Sequence, residues 1–241
     1  QCLVGSEMCI RDRLNINLTT VKTLENKGII EITTHTMFRN TIKNTIKSGE
    51  KILLNEEQRY VAESIIKDME NGDMMPSLIK GVTGSGKTEV YLELIEWVIN
   101  RGGDVICLIP EISLTYQTVM RFYTRFGDIV SVINSKMSKG ERYDSFEMAK
   151  SGKIRIMIGP RSALFTPFNR LSLIIIDEEH ESAYKSENVP RYHARETAIE
   201  LAKMTGAKVV LGSATPSLES YYNATVSYTH LRAHETLSDL V

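Results

Sequence analysis

From Asn55 onward the chain alternates short apolar runs with longer amphipathic stretches. Runs rich in Ile, Val and Leu read as buried strands, and apolar residues recurring every three or four positions read as helices. The strand candidates are 77–81, 104–109, 129–133, 154–158, 171–176 and 207–211. The helix candidates are 56–70, 87–100, 113–126, 139–150, 193–204 and 216–223. This rhythm predicts an α/β fold, a mostly parallel sheet with helices on both faces. In such a sheet the chemistry collects at the carboxyl ends of the strands.

The pattern changes before Asn55. Residues 18–27 have helical apolar spacing, Gly28 is placed to cap that helix, and 29–32 form a strand candidate. Helix, glycine and strand in this order match part of a winged-helix module over residues 14–50, leaving 51–225 as the main domain. Residues 14–55 carry six Lys/Arg against three Glu, a charge that serves DNA-backbone contact or plain packing equally well.

The two ends break the pattern. Residues 1–13 hold no sustained period, and residues 226–241 follow the last motif without a link to it. Both are expected to be non-native or disordered ends, similar to translated adapter sequence at the edges of a gene fragment, so they should be frayed or loosely docked.

Composition adds limits. The 241 residues are 42% hydrophobic and 24% charged, with a net charge of −1. Bulk charge therefore gives no support for a polyanion partner, and a nucleic-acid site would have to be a local patch. No apolar run approaches the roughly 20 residues that span a bilayer, so no membrane partner is expected. The three cysteines make no C-x-x-C pair, so no zinc site or disulfide framework is visible, and Cys107 reads as a buried strand residue. A reducing, cytoplasmic setting fits.

Three strings carry chemistry. Gly81-Val-Thr83-Gly84-Ser85-Gly86-Lys87-Thr88 fits G-x-x-x-x-G-K-[ST], between a strand candidate and a helix candidate. Glycines let backbone N–H groups turn inward around phosphate oxygens, and the helix start adds its positive end. Lys87 would reach the β- and γ-phosphates of ATP, and Thr88 would hold Mg²⁺. The second string, Asp177-Glu178-Glu179-His180, ends a strand candidate. In a P-loop enzyme Asp177 would bind Mg²⁺ and Glu178 would polarise the attacking water. The third, Gly212-Ser213-Ala214-Thr215-Pro216, offers the Ser213 and Thr215 hydroxyls to the acids of the Asp177 strand, coupling nucleotide state to DNA grip.

Taken together these strings resemble superfamily 2 helicases. Asp-Glu-Glu-His (a DEEH box), Pro110–Thr115, Gly159–Phe165, the stretch from Tyr184 to Arg195 and Gly212–Glu219 are similar to the primosomal protein N′ family, bacterial replication-restart DNA helicases. The resemblance runs from about residue 14 to 224. It implies a RecA-like first lobe, ATP hydrolysis with Mg²⁺, 3′→5′ movement on single-stranded and forked DNA, and other primosome proteins as partners. By position, Gln58 would read the adenine edge. Thr115, Arg161 and Ser162 would hold the single-strand backbone. Tyr184, Tyr192, His193 and Arg195 would belong to an aromatic-rich loop facing bases, although Pro190 stands where some relatives have a tryptophan. His180, Ser213 and Thr215 would couple the two activities.

The resemblance also implies a second lobe with an arginine finger, a zinc module and an N-terminal domain, none of them visible in this chain, so the chain alone is expected to hydrolyse ATP barely. Two other readings stay open: a different superfamily 2 DNA translocase, such as a restriction or remodelling motor, and a nucleotide-dependent DNA-binding module without turnover.

Overall fold

The structure, a computed structural model, describes residues 23–24, 27–29, 53–226 and 232–236. The chain divides into two compact units, residues 1–38 and 39–241. In the first unit a helical turn at Thr23 and Leu24 stops at Gly28, whose φ of 65° lies in the left-handed region. The Ile29 N–H donates back to the Leu24 carbonyl at 3.0 Å, the bond that closes a glycine-capped helix end. The rest of the expected winged-helix module, and residues 1–13, lie outside the described residues.

The second unit is an open sheet. Its strands are β1 (Ser77–Gly81), β2 (Asp104–Leu108), β3 (Val130–Val132), β4 (Ile156–Gly159), β5 (Leu171–Ile176), β6 (Lys208–Ser213) and β7 (Arg232–Thr236). Their order across the sheet is β3-β4-β2-β5-β6-β1-β7, and every neighbouring pair is parallel. The helices are α1 (Glu56–Glu70), α2 (Lys87–Asn100), α3 (Tyr116–Phe126), α4 (Lys139–Lys150), α5 (Ala194–Thr205) and α6 (Leu218–Val226).

Alternate residues of each central strand enter opposite cores. Val105, Cys107, Leu173, Ile175 and Val210 pack with Ile65 of α1, with Leu94 and Ile95 of α2 and with Phe122 of α3. Ile106, Leu108, Ile174, Ile176, Val209 and Leu211 pack on the other face with Ala194, Ala198 and Ala202 of α5. Burial on both faces is why these strands read as nearly continuous apolar runs rather than alternating ones.

Boundaries moved where local hydrogen bonds took over. The helix expected from 113 starts at Tyr116. Ser113 and Leu114 instead fold back onto the Pro110 carbonyl, and the Thr115 side chain accepts from the Thr118 N–H to cap α3. The C-terminal end, expected to be frayed or loosely docked, supplies a strand. Arg232–Thr236 run beside β1, with Ser77 opposite Arg232 and Gly81 opposite Thr236. Backbone pairing explains this: a strand edge offers unpaired N–H and C=O groups to any extended segment, with no apolar face required. Among the described residues no helix is long and apolar enough to cross a membrane.

Candidate nucleotide site

β1 ends at Gly81 and α2 begins at Lys87, so the loop between them lies at the carboxyl edge of the sheet. Gly84 and Gly86 have φ of 86° and 81°, conformations that L side chains rarely adopt. A Cβ at Gly86 would also lie 2.3 Å from Gln58 Nε2, so the end of that side chain would have to move. Gln58 donates from Nε2 to the Ser85 carbonyl at 2.9 Å, while its Oε1 accepts from the Asn55 N–H at 3.0 Å. The residue expected to read adenine thus braces the loop from α1 as part of a capping box. Thr83 is exposed at the loop tip, Ser85 is buried, and Thr88 is half-buried in the first turn of α2.

Lys87 is buried and its ammonium turns back into the loop. It donates to the Gly81 carbonyl at 2.8 Å and lies 3.4 Å from Glu178 Oε1. The topology forces this meeting. β6 sits between β1 and β5, and α2 leads back across them, so the loop after β1 faces the acids after β5.

Those acids have distinct surroundings. Asp177 Oδ1 accepts from the Tyr91 hydroxyl at 2.9 Å, and the Asp177 carbonyl accepts from Tyr184 Oη at 2.6 Å. Burial raises the Asp177 carboxyl above the usual range; the Tyr91 hydrogen bond opposes that, Glu178 adds to it and Lys87 opposes it. Glu178 has φ of 47°, the only non-glycine residue with positive φ among those described. Backbone in that region costs about 1–3 kcal/mol and persists where the surroundings impose it, commonly at functional sites. Here it turns the side chain toward Lys87 and toward the Ala214 N–H, 3.5 Å from Oε2.

The expected coupling residues come together, with different partners. Ser213 Oγ lies 2.7 Å from His180 Nδ1, and Thr215 Oγ1 lies 3.4 Å from His180 Nε2. The hydroxyls therefore meet the histidine rather than the acids; Asp177 is engaged by Tyr91, and Glu178 faces Lys87.

The residues expected along a DNA strand divide. Thr115 is exposed at the start of α3, and Ser162 is half-buried in the short helix Arg161–Phe165 after β4. Both follow strands on the β2–β4 side of the same sheet edge. Arg161 donates to the carbonyls of Ala183 at 2.7 Å and Lys185 at 3.0 Å, which ties the 183–185 turn to β4. The Tyr192 ring packs edge-on against Phe165 with centroids 5.2 Å apart. His193 caps α5, its Nδ1 accepting from the Arg195 N–H at 3.3 Å. Two expectations need correction. Tyr184 is not a surface aromatic: it is 1% exposed, its hydroxyl held by the Leu108 and Asp177 carbonyls, because that phenol fills the gap between the ends of β2 and β5. Arg195 is turned inward, NH1 donating to Glu179 at 3.0 Å, Ser217 at 2.7 Å and Ser220 at 2.9 Å.

Two residues of this site have roles that the sequence did not assign. Glu179 is 1% exposed, and beside Arg195 it accepts from the Ser217 N–H at 2.7 Å and the Ser220 hydroxyl at 2.9 Å. A buried carboxylate needs such donors, and their spacing could not be read along the chain. Tyr91 occupies an apolar position of α2 and reads as core, yet its hydroxyl reaches Asp177. A cavity of about 360 Å³, lined by Tyr116, Tyr123, Asn134 and Lys136 among others, lies away from the loop and includes none of these groups.

The donor set fits a magnesium nucleotide. Left-handed glycines open the loop, a buried ammonium closes it, and hard oxygen donors, the Thr88 hydroxyl and the Asp177 carboxylate, stand at its two sides. Magnesium keeps several waters and takes one or two protein oxygens beside substrate phosphates.

Known proteins resemble this chain. The family described as Type III restriction enzyme, res subunit matches residues 51–218. Replication restart protein PriA of Bacillus subtilis is 45% identical over 221 residues, covering 91% of this chain and 27% of that protein. PriA of Chlamydia pneumoniae is 48% identical over 172 residues, 71% of this chain and 23% of that one. The chain thus spans about a quarter of the length of the curated relatives it matches. Among solved structures, RecG bound to a three-way DNA junction aligns with a TM-score of 0.56 and 22% identity over 76% of this chain and 24% of that one. The Pyrococcus furiosus Hef helicase domain aligns with 0.53 and 18% over 75% of this chain and 38% of that one. At these identities the structures speak for the fold, the open parallel α/β sheet of RecA-like helicase domains.

Proposed function

Since the chain belongs to the family described as Type III restriction enzyme, res subunit, and is similar to replication restart proteins over 91% of its length, we propose that it is the ATP-binding first lobe of a replication-restart DNA helicase. The observation that carries this reading is Lys87 held 3.4 Å from Glu178, which joins the glycine loop to the strand-end acids. An ammonium shared between a loop carbonyl and a carboxylate is poised to exchange both for phosphate oxygens.

In this reading the backbone N–H groups of 83–88 and the Lys87 ammonium bind the ATP phosphates, and Gln58 braces the loop while it does so. Releasing Lys87 to the phosphates leaves Glu178 able to accept a proton from the attacking water. Thr88 and Asp177 would hold Mg²⁺, which when bound neutralises charge developing on the phosphoryl oxygens. Single-stranded DNA would cross the β2 and β4 ends through 110–115 and Arg161–Ser162. The inward bonds of Arg161 and Arg195 favour roles in shaping the 184–195 loop, with Tyr192 the aromatic left at its surface. The 3′→5′ direction, forked DNA and primosome partners rest on family resemblance.

A fluorescent ATP analogue titrated into the chain with Mg²⁺ tests the reading. Lys87→Ala should weaken binding roughly 10- to 100-fold, the equivalent of losing a charged hydrogen bond of about 1.5–3 kcal/mol. Binding within twofold of the unaltered chain would overturn the assignment.

A further inference from the structure

Tyr91 and Gly212 stand far apart in sequence and meet beside Asp177. The Tyr91 side chain is 1% exposed, rising from α2 between β6 and the apolar core. Its hydroxyl donates to Asp177 Oδ1 at 2.9 Å. That hydroxyl occupies the volume a side chain at Gly212 would need. A Cβ built there would lie 1.6 Å from Tyr91 Oη and 2.8 Å from its Cζ. No rearrangement of one atom relieves both contacts, because both fall on one rigid, buried ring. Gly212 has no positive φ, so its glycine identity answers to the phenol and not to its own backbone.

From this geometry we infer that Tyr91 is a positioning residue for the magnesium-binding carboxylate, and that Gly212 is glycine to admit its hydroxyl. The inference deepens the proposed function and rests on it. A phenol is a fixed donor: once the ring is packed, its oxygen cannot follow the carboxylate. Asp177 is thereby held with Oδ1 engaged by a donor that fixes the orientation of the carboxylate. Groups that orient a metal ligand typically contribute 10- to 100-fold to metal affinity when removed. Tyr91 also reaches from the helix after the glycine loop to the strand carrying Ser213.

The test uses the whole chain and a fluorescent ATP analogue, titrated with and without Mg²⁺. Tyr91→Phe removes the hydroxyl and keeps the ring. It should raise the Mg²⁺ concentration for half-maximal binding by roughly 10-fold or more. Binding measured in excess chelator should stay within twofold. An equal loss with and without Mg²⁺ would reduce Tyr91 to core packing and overturn the inference, as would an unchanged Mg²⁺ requirement. Gly212→Ala should reproduce the Mg²⁺ defect, and G212A combined with Y91F should be no worse than G212A alone. Full additivity of the two would overturn the link between them. If the unaltered chain shows no Mg²⁺-dependent binding, the proposed function falls and the inference with it. If it binds and Y91F matches it, only the inference falls.

Discussion

Replacing Glu179 by alanine should destabilise this domain more than losing any exposed charge. The carboxylate is wholly enclosed and its partner Arg195 is 16% exposed. Alanine leaves the guanidinium buried beside two serine hydroxyls and the Ser217 N–H, all of which had pointed at Glu179. Stranding one member of a buried ion pair costs about 3–5 kcal/mol. Summing every lost hydrogen bond would give more, but water entering the vacated space recovers part of it. For a domain of this size 1 kcal/mol shifts the midpoint by about 2–4 °C, so the melting temperature should fall by roughly 6–20 °C. Circular dichroism on heating measures this. E179A combined with R195M removes the stranded cation and should recover stability, with a coupling of about 1 kcal/mol or more between the sites. A fall under about 2 °C, or strictly additive variants, would refute the argument that this pair ties the acidic turn to α5 and α6.

Other outcomes follow from the same geometry. Glu178→Gln should leave magnesium-nucleotide binding nearly intact and slow hydrolysis roughly 10²-fold in a longer relative carrying these residues; Asp177→Asn should instead weaken Mg²⁺-dependent binding, and equal binding defects would mean the two acids are misassigned. Gly86→Ala meets a φ of 81° and Gln58 Nε2 at 2.3 Å. It should cost about 1–3 kcal/mol in chemical denaturation. Adding Q58A should relieve only the contact, and a complete rescue would show that the backbone is unstrained. His193 is held below its usual pKa, first by burial and then by Arg195, with Lys185 acting the same way and Glu196 and Glu179 opposing. A depressed histidine favours the fold while neutral, so its contribution is present above the unfolded value near 6.5 and is lost as pH falls below it. Melting at pH 8 and pH 5 should therefore show a larger fall for the unaltered chain than for H193N, whose asparagine also caps a helix; equal falls would remove the histidine from the account.

Much of this was legible because periodicity and backbone needs act locally. The strands at 77–81 and 171–176 were bounded by their apolar runs, and the loop from Gly81 to Thr88 was marked by glycines that its conformation requires. Side-chain partners at long range were not legible. Ser213 and Thr215 meet His180 and not the acids, Tyr184 is buried and Arg195 faces inward, because each depends on which loops the sheet order brings together. Tyr91 sat at an apolar helix position, where a phenol reads as packing. The pairing of Arg232–Thr236 was not legible either, because backbone edges leave no trace in side-chain pattern.

The insertion of β6 between β1 and β5 has a consequence for how the protein is made. The strand that completes the centre of the sheet is the last of the six core strands to leave the ribosome. Until Lys208–Ser213 emerge, β1 and β5 are open edges facing a gap, and their apolar residues, Leu78, Ile79 and Leu173–Ile176, lack a neighbour on that side. Parallel pairing over such separations forms slowly, and exposed edges template wrong partners meanwhile. Lys87, Glu178 and Ala214 also converge only once that gap is filled. During synthesis the domain therefore carries two open apolar strand edges until its sixth strand is made.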